Sequence, residues 1–223
     1  MVCVPGIEET RVEAKKIEIR PVLVSIAVIV LIEMVSGFVI ARTSRNPLWI
    51  LGATRLLEMC VIIVIFSIWA DGMSSIGLGY SKVVPGFKTG LVWSAAFGLI
   101  TFLAFGTLFF LDIDPMRLIH VRLPSKIDEV LLFFLVGGLV GPIAEEVFFR
   151  GVLYGFFRRW GALIAVVLSS ALFVLAHLPG IQVTQLIGAV IFALAYEKAG
   201  SLTAPITIHV LGNSAIFALS MAR

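Results

Sequence analysis

The stretch Gly141-Pro142-Ile143-Ala144-Glu145-Glu146-Val147-Phe148-Phe149-Arg150-Gly151 decides the fold. It places two adjacent carboxylates and a guanidinium inside an apolar run, residues 129–157, that is long enough to cross a bilayer. The hydrocarbon core is about 30 Å thick and takes roughly 20 residues of helix to span. Ionisable groups at that depth are expensive and normally face a protein interior or a wet cavity. Other helices must therefore surround this one. Six further apolar runs are available, at residues 21–41, 48–70 and 87–111 before it and at 162–177, 184–196 and 202–219 after it. The expectation is an all-α, polytopic membrane helix bundle of about seven to eight transmembrane helices around an intramembrane cavity. The last three runs are short for full spans, which suits helices packed among other helices around polar space. Residues 112–128, with Asp114, Pro115, Arg117, His120, Arg122 and Pro124, read as an exposed connection carrying a short surface helix.

Composition agrees. The 223 residues are 60% hydrophobic and 14% charged, with a mean hydropathy of +1.08, whereas soluble domains average about 25% charged. A soluble enzyme and a disordered chain are both excluded. Cys3 and Cys60 are the only cysteines, too few for a disulfide scaffold. The net charge of +3 does not point to nucleic acid, because the 17 Lys and Arg are scattered between apolar runs rather than gathered on one face. Residues 1–20 form a polar N-terminal segment of alternating charge without a cleavage site, expected to be retained. Residues 21–223 read as one membrane domain with a core at about 129–219. Seven spans put Arg11, Lys15, Lys16, Arg20, Lys82, Lys88, Arg158, Arg159 and Lys198 on one side. Arg42, Arg45, Arg117, Arg122, Lys126 and Arg223 fall on the other. The excess favours a cytoplasmic N-terminus.

The ionisable groups at membrane depth are Glu33, Arg55, Glu58, Glu145, Glu146, Arg150, His177 and His209. Arg55 and Glu58 stand i,i+3 and read as an internal ion pair. Glu33 is left between two readings, a neighbour of lipid headgroups or a second partner of Arg55. Glu146 and Arg150 stand i,i+4 with the acid N-terminal, the favourable orientation. Consecutive residues point about 100° apart on a helix, so Glu145 lacks an opposite charge on its own helix and is the candidate general base. His177 ends an apolar helix. His209 and Asn213 share one face of the last run and offer two donors to one oxygen. A base, a polariser and two oxyanion donors fit hydrolysis of an acyl bond within the membrane.

Glu-Glu-x-x-x-Arg (Glu145, Glu146, Arg150), Phe-x-x-x-His (Phe173, His177) and His-x-x-x-Asn (His209, Asn213), in this order, resemble the glutamic intramembrane proteases of the CAAX protease and bacteriocin-processing (CPBP, or Abi) family, related to the type II CAAX prenyl endopeptidase. The resemblance covers residues 129–219; the first three helices match only in character. It implies that Glu145 activates the attacking water with help from His177, that His209 and Asn213 stabilise the oxyanion, and that Glu146, Arg150 and Phe173 are structural or position the substrate. It implies an eight-span bundle, against the seven runs counted, and no metal or other cofactor. A zinc site built from Glu145, His177 and His209 is the competing chemistry, but no His-Glu-x-x-His occurs. A proton-coupled transporter, or a catalytically silent scaffold or immunity protein, are the alternatives outside hydrolysis; a transporter predicts inverted repeats, and none is evident. The expected partner is a membrane-anchored or prenylated protein or peptide, cut near its C-terminus, in the inner membrane of a prokaryote.

Overall fold

The computed structural model describes residues 17–69, 72–118, 121–178 and 183–221. The charged segment 1–16, His120, the Pro179-Gly180 pair after His177 and Arg223 lie outside the described residues. The described residues are helical, without strands. The long helices are α1 (Ile19–Arg42), α2 (Pro47–Trp69), α3 (Tyr80–Phe110), α4 (Ile127–Trp160), α5 (Ala162–Ala176), α6 (Val183–Ala199) and α7 (Thr203–Met221). Each of the seven apolar runs is a helix. Five of them, α1, α2, α3, α4 and α7, are long and apolar enough to cross a membrane, and the protein is a multi-pass integral membrane protein. α5 and α6, at 15 and 17 residues, are shorter than a full span. The polar connection after α3 carries a short 3-10 turn, Pro115–Leu118.

α3 starts at Tyr80 rather than at 87, because Lys82, Pro85 and Lys88 dilute the hydropathy of its first turns without unwinding them. Its approach to α7 depends on Gly86 and Gly90, one turn apart. A Cβ at Gly90 would lie 2.6 Å from Thr207 Cβ and 2.8 Å from the Ala204 carbonyl oxygen, and one at Gly86 would run into the hydroxyls of Ser201 and Thr203. Small residues at this spacing let membrane helices touch backbone to backbone. Hydroxyl bonds follow: Ser201 Oγ donates to the Lys82 carbonyl at 2.9 Å and Thr203 Oγ1 to the Val83 carbonyl at 2.9 Å. The rest of α3 is lipid-facing in character, with Phe102, Phe109 and Phe110 exposed.

α4 is not one regular helix. It is α-helical over Ile127–Phe133, π-helical over Phe134–Val140, α-helical over Gly141–Glu146 and π-helical again over Val147–Tyr154. π segments widen a helix, cost stability and recur at functional sites. Here they flank the two glutamates. The second is also the centre of the core: Val147, Val152 and Tyr154 are fully buried with Phe66, Ile76, Phe173, Tyr196 and Leu202.

The end of α4 is tied to its neighbours through Arg158 and Arg159. Arg158 grips Glu197 of α6 through Nε (2.9 Å) and Nη2 (2.8 Å), while Tyr154 donates its hydroxyl to the same carboxylate at 2.6 Å. Arg159 donates to the Ile17 carbonyl just ahead of α1.

Candidate active site

Glu145 and Glu146 leave the short α-helical segment of α4 in different directions. Glu146 is fully buried, as is Arg150, whereas the Glu145 side chain is 22% exposed. Arg150 Nη1 donates to Glu146 Oε1 at 3.0 Å, the ion pair that the i,i+4 spacing predicts. Arg150 also donates Nη2 to the Ala189 carbonyl of α6 at 3.0 Å and lies 4.6 Å from the centre of the Phe173 ring and 5.3 Å from that of Phe192. A buried guanidinium needs this carboxylate, carbonyl and aromatic shell to offset lost hydration. Phe173 is buried as well. Glu146, Arg150 and Phe173 are therefore packed in the interior behind Glu145.

Two further helices bring the remaining groups to Glu145. His177, just past the end of α5, directs Nε2 to within 3.9 Å of Glu145 Oε2, and His209 of α7 brings its Nε2 to 3.8 Å from the same oxygen. These separations exceed a direct hydrogen bond, yet both ring nitrogens and the carboxylate can touch one common water. Each ring is oriented from behind. His177 Nδ1 hydrogen-bonds the Phe173 carbonyl at 2.7 Å, four residues back. His209 Nδ1 lies 2.8 Å from Glu146 Oε1, and its ring stacks on Phe192 with centroids 4.4 Å apart and planes at 21°. Residues up to 64 positions apart in the chain thus converge on one oxygen.

Asn213 is placed differently from the sequence expectation. Its Nδ2 donates to the Gly137 carbonyl at 3.0 Å, so in this state it ties α7 to the first π segment of α4 and does not converge with His209 on one point.

α2 supplies the second polar cluster at membrane depth. Arg55 Nη1 is 2.6 Å from Glu58 Oε2, as the i,i+3 spacing predicts, and 2.6 Å from Glu33 Oε1 of α1. Glu33 is a partner of Arg55. Thr54 Oγ1 donates to Ser36 Oγ at 2.9 Å beside this cluster. Sequence reasoning missed the Tyr154–Arg158–Glu197 clamp, Phe192 and the contact between His209 and Glu146. All are cross-helix contacts, which periodicity along one helix does not reveal. Among the described residues no group of three or more His, Cys, Asp or Glu is arranged to hold a metal ion.

The fold and site define a multi-pass membrane protein whose interior joins one glutamate to two histidines. Residues 127–215 match the family model described as type II CAAX prenyl endopeptidase Rce1-like, so this segment is similar to that family. The match contains Glu145, Glu146, Arg150, His177, His209 and Asn213. Among curated proteins, the chain is 26% identical over 150 residues to a protein of Bacillus subtilis (strain 168) named as a membrane peptidase, YdiL, covering 66% of this chain and 59% of YdiL. It is 35% identical over 93 residues to the membrane-embedded CAAX protease MroQ of Staphylococcus aureus (strain USA300), covering 38% of each. An uncharacterized 24.3 kDa protein of Escherichia coli is 24% identical over 75% of this chain and 78% of its own length. The matched regions thus span less than two thirds of YdiL and of MroQ. No solved structure matches.

Proposed function

We propose that the protein is an intramembrane endopeptidase in which Glu145, assisted by His177, activates a water molecule for attack on a peptide carbonyl. The observation that carries this reading is the approach of His177 Nε2 and His209 Nε2 to 3.9 and 3.8 Å from Glu145 Oε2, on a carboxylate that is partly open in an otherwise buried setting. A base must lie within reach of the proton it removes, directly or through one water. In the step, the water oxygen attacks the carbonyl carbon and its proton passes to Glu145. The carbonyl π electrons move to oxygen, where His209 and Asn213 stabilise the charge. When the tetrahedral intermediate collapses, the C–N bond breaks and the leaving nitrogen takes up the proton. For Asn213 to contribute, its amide must exchange the Gly137 carbonyl for the oxyanion.

The substrate is a membrane-anchored or prenylated protein cut near its C-terminus, because a site enclosed by helices at bilayer depth favours chains delivered by an anchor. The setting is the inner membrane of a prokaryote. The test compares C-terminal peptides of membrane proteins from cells with and without the chain. One or a few anchored proteins should keep a C-terminal segment in the deletion strain. Identical C-termini in the two strains would overturn the endopeptidase reading and favour a carrier or scaffold.

A further inference from the structure

The two histidines that face Glu145 differ in what stands behind them, and the difference assigns them different chemistry. The Phe173 carbonyl can only accept, so His177 Nδ1 carries the hydrogen of their 2.7 Å bond. Behind His209 stands a carboxylate, Glu146, whose Oε1 already accepts from Arg150 Nη1 at 3.0 Å and lies 2.8 Å from His209 Nδ1. A carboxylate receiving an arginine hydrogen bond is an acceptor, so His209 Nδ1 also carries hydrogen. The Nε2 of a neutral His209 is then a lone pair, 3.8 Å from Glu145 Oε2. A ring in that state accepts a proton and does not donate to an oxyanion.

We infer that Glu146 and His209 form a carboxylate–imidazole dyad: Glu146 is a positioning residue that fixes the His209 ring with Nε2 toward Glu145, and His209 relays the proton taken from the attacking water. This rests on the endopeptidase reading and deepens it. After Glu145 has received the water proton, the Glu145 O–H bond breaks and a bond to His209 Nε2 forms. His209 is then doubly protonated and beside Glu146, and its Nε2–H donates to the oxyanion. As the C–N bond breaks, the Nε2–H proton passes to the leaving nitrogen and the neutral ring returns. Each proton is accounted for and no co-reactant is needed. His209 becomes an oxyanion donor only within the cycle, which reconciles its acceptor state at rest with the role its motif implies.

The surroundings favour the relay. The His209 ring is 5% exposed as a residue, stacked on Phe192 of α6 and edge-on to Phe173 of α5, so its orientation is set by packing as well as by Glu146. The neutral imidazole, aligned by a buried carboxylate on the nitrogen away from the reaction, is the arrangement by which triad hydrolases orient their base.

The test has a readout independent of any substrate. In [15N]histidine-labelled full-length protein in lipid nanodiscs, resonances are assigned by comparing the parent with His120→Gln and His177→Gln. His209 Nδ1 should carry hydrogen at every pH at which the protein is folded. A populated form of His209 with hydrogen on Nε2 alone would overturn the dyad, whether or not the protein is a peptidase. The second arm is kinetic, on the substrate found in the deletion strain. Glu146→Gln should lower kcat about 10²–10⁴-fold, the range of single losses within a catalytic constellation, with KM nearly unchanged. Glu146→Asp should restore part of that kcat. Arg150→Gln, which removes the same ion pair but leaves the bond to His209, should lose less kcat than Glu146→Gln. Equal losses in the Glu146→Gln and Arg150→Gln proteins, with no recovery in Glu146→Asp, would show that Glu146 serves only to hold Arg150. If the parent cleaves nothing but Nδ1 keeps its hydrogen, the endopeptidase reading fails while the geometry of the dyad stands.

Discussion

Glu145 and Glu146 are neighbours in sequence with opposite environments, and the contrast follows from what each meets. Glu146 faces Arg150 and His209 in the closed interior, and Glu145 faces two Nε2 atoms and open space. The Glu146–Arg150 and Arg55–Glu58 pairs were legible because both partners lie on one helix, where spacing fixes distance. The Glu33–Arg55 pair was one of two readings the sequence left open, and the His209–Glu146 and Asn213–Gly137 contacts were not legible, since each joins different helices. Asn213 gives the sharpest residue-scale test. If its amide turns from the Gly137 carbonyl to the oxyanion, Asn213→Ala should lower kcat about 10²–10³-fold with little change in KM, as for other lost oxyanion donors. Its loss as an interhelical tie should be small by comparison, since such bonds in membranes average about 0.6 kcal/mol. Steady-state kinetics together with a thermal melt separate the two contributions. Parent kcat with a lowered melting temperature would leave Asn213 as a tie between α4 and α7.

At the scale of elements, hydropathy found every long helix and misjudged chiefly the start of α3, where lysines and a proline sit in helical backbone. It gave no sign of the two π segments of α4. No residue type marks a π turn; it arises where side chains on neighbouring helices hold the backbone in a wider winding than its own hydrogen bonds favour. In α4 those constraints include Asn213 on the Gly137 carbonyl and the burial of Val147–Tyr154 against α5, α6 and the Gly72–Ile76 turn. The contact of α3 with α7 was equally hidden, although Gly86 and Gly90 stand at the spacing that permits it. Replacing Gly90 by Leu should force α3 away from α7. Overpacking of this kind costs about 1–3 kcal/mol, so the melting temperature should fall, and a Cys pair placed across α3 and α7 should crosslink less readily than in the parent. A Gly90→Leu protein with parent stability and parent crosslinking would contradict the close approach.

For the whole molecule, the seven long helices among the described residues hold a polar centre inside an apolar exterior, and one clamp closes an end of the bundle. Tyr154, Arg158 and Glu197 join the end of α4 to the end of α6 by three hydrogen bonds on one carboxylate. The Arg158 and Glu197 side chains are about one fifth exposed, so their ion pair is worth only about 1 kcal/mol. Arg158→Ala should lower the melting temperature by about 2–4 °C and leave kcat unchanged, because the clamp touches none of the groups around Glu145. A fall in kcat without loss of stability would mean that the end of the bundle takes part in the reaction. The central claim concerns the one carboxylate on which three helices converge. Its most direct test is single-turnover cleavage of the substrate found in the deletion strain, by purified parent and Glu145→Gln proteins reconstituted in the same vesicles. Glutamine keeps the shape and loses the proton-accepting oxygen, so the account predicts a Glu145→Gln protein that melts with the parent and still binds substrate but forms no product. Cleavage by the Glu145→Gln protein at the parent rate would contradict it.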